Sequence, residues 1–225
     1  MHKIELPDWA VERRRLISSF PPLDPVRTAA VVVDMQAAFV ETWSPLYVAT
    51  TVDILDNINR LTAALREAGG KVVFSRHSFT DEGPGKLPAW QTGASELMAV
   101  SRQAIHGDGG RGHEVYSGLT VAPGDLVFDK YRYSCFINAA VDLDDYFQKA
   151  GIDTLIVVGT VTNCCCESTA RDATMLGYRV LFPSDANAAL TDEEHNASLL
   201  GLRISVADIA TTDEILGRVQ APALT

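Results

Sequence analysis

Apolar residues fall along this chain in two rhythms. Short runs rich in β-branched residues occupy positions 28–33, 71–75, 125–129, 154–158, 178–182 and 204–207. Runs of this length, with little polar interruption, predict strands buried on both faces. Between them the apolar positions recur at helical spacing. Ile54, Leu55, Ile58, Leu61, Ala64 and Leu65 mark a helix over 52–68; Val141, Leu143, Tyr146 and Phe147 mark another over 139–150. A third helix runs from Asn163 to Leu176, and a fourth spans 192–203, capped by Thr191 with Glu194 at its third position. A last one starts near Thr212. Gly69, Gly70, Gly151 and Gly177 supply the stops. Gly159 reads as the end of the fourth strand. Strands alternating with helices predict an α/β fold with a mostly parallel sheet.

Two stretches break the alternation. In residues 1–25, Trp9, Val11, Leu16 and Ile17 suggest a short amphipathic helix that Pro21-Pro22 ends. It reads as an N-terminal helical appendage to a single domain over 26–225, with an apolar face that needs a surface on this subunit or another. Residues 78–124 carry recurrent Gly and Pro, which predicts loops of the kind that build pockets and lids. Trp90 is the aromatic wall such a pocket would use, or else it packs the loop down. Residues 107–112 spell G-x-G-x-x-G, but no strand precedes them and no clear helix start follows, so this is not a dinucleotide site.

Composition narrows the function classes. The chain has 225 residues, 47% of them hydrophobic, and a net charge of −10. That charge argues against non-specific binding to nucleic acid. No apolar run is long enough to span a membrane, and charges at Glu5, Asp8, Glu12 and Arg13 to Arg15 interrupt any secretory core after Met1. The expectation is a cytoplasmic protein. The four cysteines, three consecutive and one alone at Cys135, make a poor disulfide framework and suit a reducing compartment.

Chemistry concentrates where strands end. Cys164, Cys165 and Cys166 sit at a sharp strand-to-helix turn. A helix N-terminus stabilises a thiolate and offers N–H groups to an oxyanion. Successive helical residues diverge by about 100°, so at most one thiol faces a given pocket. The plain alternative is three small buried hydrophobes. Asp34 closes the first strand, where an idle carboxylate would be costly; otherwise it only caps a turn. Lys130 follows the third strand inside an aromatic cluster, although a lysine is usually solvated. All three fall on the carboxyl edge of the sheet, where α/β proteins bind ligands.

The run Gly159-Thr160-Val161-Thr162-Asn163-Cys164-Cys165-Cys166-Glu167-Ser168-Thr169-Ala170-Arg171-Asp172-Ala173 resembles the signature of the isochorismatase-like cysteine hydrolases. Val33-Asp34-Met35-Gln36 with Phe39, and Lys130 to Phe136, resemble that family's other two motifs, and the resemblance extends from Thr28 to Val206. It implies a three-layer α/β/α fold with a six-stranded, mostly parallel, Rossmann-like sheet. It assigns the nucleophile to Cys165, the acid/base to Asp34 and a catalytic lysine to Lys130. It also implies a cis peptide at Thr160–Val161, oxyanion contacts there, and pocket positions at Gln36, Phe39, Arg132 and Tyr133, beside the Trp90 that the loop itself suggests. Metal-dependent relatives carry Asp-x-His where this chain has Ser75-Arg76-His77, so no metal and no cofactor are expected. His77, lacking a nearby histidine partner, reads as structural.

The resemblance further implies a homodimer or homotetramer. It implies a hydrolase that opens a C–N bond of a small amide, a ureido or carbamoyl compound or a cyclic amide through a thioester. Vinyl ether hydrolysis on the same fold is the alternative reaction, and a binding protein without turnover is the alternative role.

Overall fold

The computed structural model describes residues 1–10, 12, 22–92 and 96–220. Its centre is a parallel sheet in the order β3-β2-β1-β4-β5-β7. The strands are β1 (Thr28–Val33), β2 (Lys71–His77), β3 (Leu126–Lys130), β4 (Thr154–Thr160), β5 (Arg179–Pro183) and β7 (Asp208–Ala210). A two-residue strand, β6 (Asn187–Ala188), pairs with the end of β4. The helices are α1 (Ala37–Val40), α2 (Thr51–Glu67), α3 (Ala89–Thr92), α4 (Glu96–Ala104), α5 (Leu143–Lys149), α6 (Glu167–Met175), α7 (Asp192–Ser205) and α8 (Thr212–Gln220).

Side chains alternate across the sheet as the strand repeat requires. Ala30, Val32, Val72, Phe74, Ile156, Val158 and Leu181 face one core, completed by Ile54, Ile58, Leu61 and Leu65 of α2 and Ile215 of α8. Ala29, Val31, Val33, Val73, Leu155, Val157, Val180 and Phe182 face the other, completed by Leu143 and Phe147 of α5, Ala170 and Ala173 of α6, and Leu199 and Leu202 of α7. Both faces of β1 and β4 are covered, and every residue of the two strands is buried. This is the expected α/β/α architecture, and the continuous apolar runs follow from it.

Four readings change on contact with the structure. β4 does not end at Gly159 but runs on to Thr160. Gly159 has φ 121, and a Cβ there would collide with the Val33 carbonyl oxygen. Its glycine therefore serves the close approach of β1 rather than a stop. The strand expected at 204–207 is instead the end of α7, which continues to Ser205, and the edge strand begins at Asp208. Helix α5 starts at Leu143, where Asp142 caps it by accepting from the Asp145 N–H. The irregular stretch 78–124 contains α3 and α4.

The capping box of α7 forms as expected, with Thr191 and Glu194 bonding each other's backbone. The expected N-terminal helix falls largely on residues 11 and 13–21, outside the described residues. Before it, the Glu5 N–H donates to Asn196 Oδ1 on α7. The His2 ring is buried against that helix, stacked 4.3 Å from the ring of His195.

Candidate active site

The order of the sheet reverses direction between β1 and β4, the place where open α/β sheets leave a crevice at their carboxyl ends. Strand register brings the predicted residues there. Val33 pairs with Ser75 of β2 on one side and with Gly159 of β4 on the other. His77 pairs with Lys130 across β2 and β3. Asp34, the first residue past β1, has φ 50, the left-handed region that a non-glycine residue enters seldom and most often at functional sites.

Asp34 and Lys130 are both fully buried, and Lys130 Nζ lies 2.7 Å from Asp34 Oδ2. The contact is an ion pair off the hydrogen-bonding direction, for Oδ2 has no directed partner among the described residues. The other oxygen, Oδ1, accepts from Ser75 Oγ at 2.7 Å. Lys130 Nζ directs its hydrogen bonds elsewhere, to the Arg132 carbonyl and to His77 Nδ1, both at 3.0 Å. Burial alone would lower the lysine pKa. The Asp34 carboxylate, then the sulfurs of Cys165 and Cys135, outweigh it and hold Lys130 above the ordinary lysine range.

The cysteines occupy a π-helical turn, Thr162–Cys166, that precedes α6. Cys165 and Cys166 are buried and Cys164 is half-buried. A carboxylate oxygen of Asp34, a ring nitrogen of His77 and Cys165 Sγ all lie within 4.8 Å of one another. Among the described residues these three form the one group of histidine, cysteine and acid fit to surround a cation. The Lys130 ammonium already stands beside two of them, at 2.7 Å from Asp34 and 3.0 Å from His77. A divalent ion would have to share that space with a fully buried positive charge, so the residues do not fit a metal.

The Cys165 thiol differs from the expectation of a lowered pKa. Cys165 is pushed well above the usual thiol range by its hydrogen bond with Cys164 and by burial, with Lys130 opposing. Cys164, on the other side of that bond, is lowered. Cys165 waits as a thiol beside a carboxylate.

The peptide between Thr160 and Val161 is cis. Thr162 Oγ1 and His195 Nδ1 are 2.9 Å apart, and His195 Nε2 and the Ser184 carbonyl are 3.0 Å apart, so α7 braces the turn that carries the cysteines.

The expected pocket residues separate into two groups. Arg132 and Tyr133 line a pocket with His77, Phe79, Gln91 and Met98. Gln36 and Phe39 do not line it. Gln36 is wholly buried, donating to the His77 and His113 carbonyls and accepting from the His77 N–H, which pins the end of β2. Phe39 is buried in the α2 core. Trp90 is 78% exposed and turned outward; Gln91 beside it supplies the wall.

Two residues at the site escaped the reading of the sequence, Ser75 and His77. Alternation along β2 is the signal that finds them. Positions 75 and 77 face one side of the sheet, so if Ser75 meets Asp34 then His77 reaches for Lys130.

Comparison with known proteins agrees with this geometry. The isochorismatase domain profile matches residues 28–214. The chain is 33% identical over 192 residues to nicotinamidase 3 of Arabidopsis thaliana, covering 83% of this chain and 86% of that one. It is 32% identical to the ureidoacrylate amidohydrolase of Pseudomonas syringae pv. syringae, with 96% of each chain covered. The crystal structure of a cysteine hydrolase from Pseudomonas syringae pv. phaseolicola superposes with a TM-score of 0.78 at 32% identity, over 90% of this chain and 99% of that one. Fold, signature and buried carboxylate–lysine–cysteine cluster agree, and the chain belongs to the isochorismatase family.

Proposed function

We propose that the protein is a cysteine-dependent amidohydrolase that opens a C–N bond of a small ureido acid or related amide, with Cys165 as nucleophile. The observation that carries this is Asp34 Oδ2. It is buried, lacks a directed hydrogen bond among the described residues, and belongs to a carboxylate within 4.8 Å of the Cys165 thiol. Ser75 and Lys130 fix the carboxylate from both sides. The carboxylate so held stands beside the thiol whose proton it takes.

The steps follow from these positions. Asp34 takes the proton of the Cys165 thiol, and the thiolate attacks the carbonyl carbon. Lys130 keeps the site from gaining net charge it cannot solvate. The N–H groups of Val161 and Cys165 receive the oxyanion. Protonated Asp34 then gives its proton to the departing nitrogen, and the C–N bond breaks to leave a thioester. Asp34 next deprotonates a water, whose oxygen attacks the thioester carbon; the C–S bond breaks, the acid product leaves, and Asp34 returns its proton to the Cys165 sulfur. Lys130, 2.7 Å from Asp34 Oδ2 and hydrogen-bonded to His77 and Arg132, acts in these steps by its charge.

The ureido preference is supported by the relative named for ureidoacrylate and by Arg132 and Tyr133 in the pocket. The net charge and the lack, among the described residues, of a helix able to cross a membrane support a small-molecule enzyme of the cytoplasm. Assembly as a homodimer or homotetramer belongs to the same proposal; light scattering that returned a mass near 24.4 kDa would reject it. The activity is tested by a hydrolysis screen that reads ammonia release from ureido acids and primary amides, and the appearance of the ring-opened amino acid from lactams. Hydrolysis of at least one class, lost in Cys165→Ala, supports the reading. No hydrolysis of any class, or retention in Cys165→Ala, refutes it.

A further inference from the structure

His77 lies in the site without a part in these steps. Its side chain is 8% exposed, and that sliver opens on the pocket it shares with Phe79, Arg132 and Tyr133. Phe79 meets the ring edge-on at 4.8 Å, and Tyr133 stacks at 6.2 Å. Lys130 Nζ is 3.0 Å from Nδ1. An ammonium can only donate, so Nδ1 must accept, and the ring proton must sit on Nε2. Burial, followed by the charges of Lys130 and Arg132, holds the imidazole pKa well below its usual value, so the ring stays neutral in this tautomer. Nε2 has no protein partner among the described residues, on a ring that reaches within 4.8 Å of Cys165 Sγ. A neutral N–H donor with a fixed direction and no partner among the described residues, on a ring that lines the pocket and neighbours Cys165, is a feature that orients a ligand.

We infer that His77 binds the substrate, its Nε2–H donating to the carboxylate of a ureido acid while Lys130 holds its other nitrogen. This rests on the amidohydrolase reading and names the part of the substrate the pocket recognises. The two sides of the ring can be tested apart. Asparagine places an amide oxygen near Nδ1 and keeps an acceptor for Lys130, but it has nothing at Nε2. Glutamine places an amide N–H near Nε2 and keeps the donor, but it gives up the acceptor.

Steady-state kinetics on 3-ureidoacrylate with wild type, His77→Asn and His77→Gln separates these roles. Calorimetry of the same compound with Cys165→Ala, with and without His77→Asn, removes turnover from the comparison. The inference expects His77→Asn to raise KM and Kd by about 10–100-fold, the worth of one hydrogen bond to a charged group. His77→Gln should stay within about threefold of wild-type KM on the same reasoning. The reverse order, with asparagine near wild type and glutamine impaired, would show that His77 only holds Lys130 and would overturn the inference. So would an unchanged Kd in the calorimetric pair. If wild type neither turns over nor binds 3-ureidoacrylate, the ureido-acid reading falls and the role of His77 falls with it. If wild type is active and only the His77 variants fail the expectation, the ureido-acid reading stands.

Discussion

At the seam between β1 and β4 every strand residue is buried, and Gly159 lets the two backbones touch beside Asp34. Across the pocket the lobe from Ser78 to Gly112 is assembled differently. Its helices α3 and α4 are short, and Trp90, Leu97 and Val100 are 78%, 62% and 47% exposed. The seam holds Asp34 and Cys165, the groups proposed to move protons and bonds, in a place where a displacement of an ångström is felt throughout the packing. The lobe supplies Phe79, Gln91 and Met98 to the wall of the pocket. Rigid chemistry faces a lightly packed recognition surface, an arrangement that lets specificity vary while the reaction is kept.

The contrast predicts large effects at the seam and small ones on the lobe. Asp34→Asn keeps the shape of the side chain and removes the base and the later acid, so kcat should fall by about 10²–10⁴-fold. The measurement is steady-state turnover, with circular dichroism to show that the fold survives. A near-normal rate would move the base elsewhere.

Next in size is the response of the brace to acid. His195 is buried and neutral, and burial, then the charge of His2, lowers its pKa from 6.5 to about 4. The unfolded chain takes up a proton near pH 6.5 that the folded chain refuses until about pH 4. Stability is therefore complete above pH 6.5 and falls as the pH drops from there to about 4. That gap corresponds to about 3 kcal/mol. His77 acts in the same direction. Urea titrations across this range should show the loss, and His195→Gln should show a shallower fall. An equal slope in the variant would remove His195 from the account.

Gly159→Ala comes third. It adds a Cβ against the Val33 carbonyl at a positive φ, which should cost at least ~2 kcal/mol and lower Tm by roughly 4–8 °C or more. Trp90→Ala is the smallest. The side chain is exposed, so stability should change by less than ~0.5 kcal/mol. A drop of several degrees for Trp90→Ala, or none for Gly159→Ala, would erase the contrast between the two regions.

How far the sequence reveals this molecule depends on the kind of interaction. β1 was legible because burial on both faces leaves an unbroken apolar run. The gathering of Cys165, Asp34 and Lys130 is legible because each lies at or just past a strand end on the ligand-binding edge and sits in a specific motif, although Lys130 proves to be the last residue of β3 and not the residue after it. Gly159 was misread because a close approach by β1 cannot be told from a stop without the partner strand. The end of α7 was misread because Ile204 and Val206 suit either a helix end or an edge strand. His77 was passed over as solitary, since its partner Lys130 lies 53 residues away and meets it only through strand register. The state of the Cys165 thiol was missed because it depends on Cys164 and on the π turn, neither of which leaves a periodic trace.

The central claim is a covalent bond between substrate and Cys165. Mass spectrometry of wild type quenched in acid during turnover of a slowly hydrolysed amide or ureido substrate tests it most directly. The account predicts a mass increase equal to the acyl fragment, localised to the peptide carrying Cys165 and absent from Cys165→Ala. Steady turnover by Cys165→Ala, or an adduct carried by Cys164 instead, would contradict it.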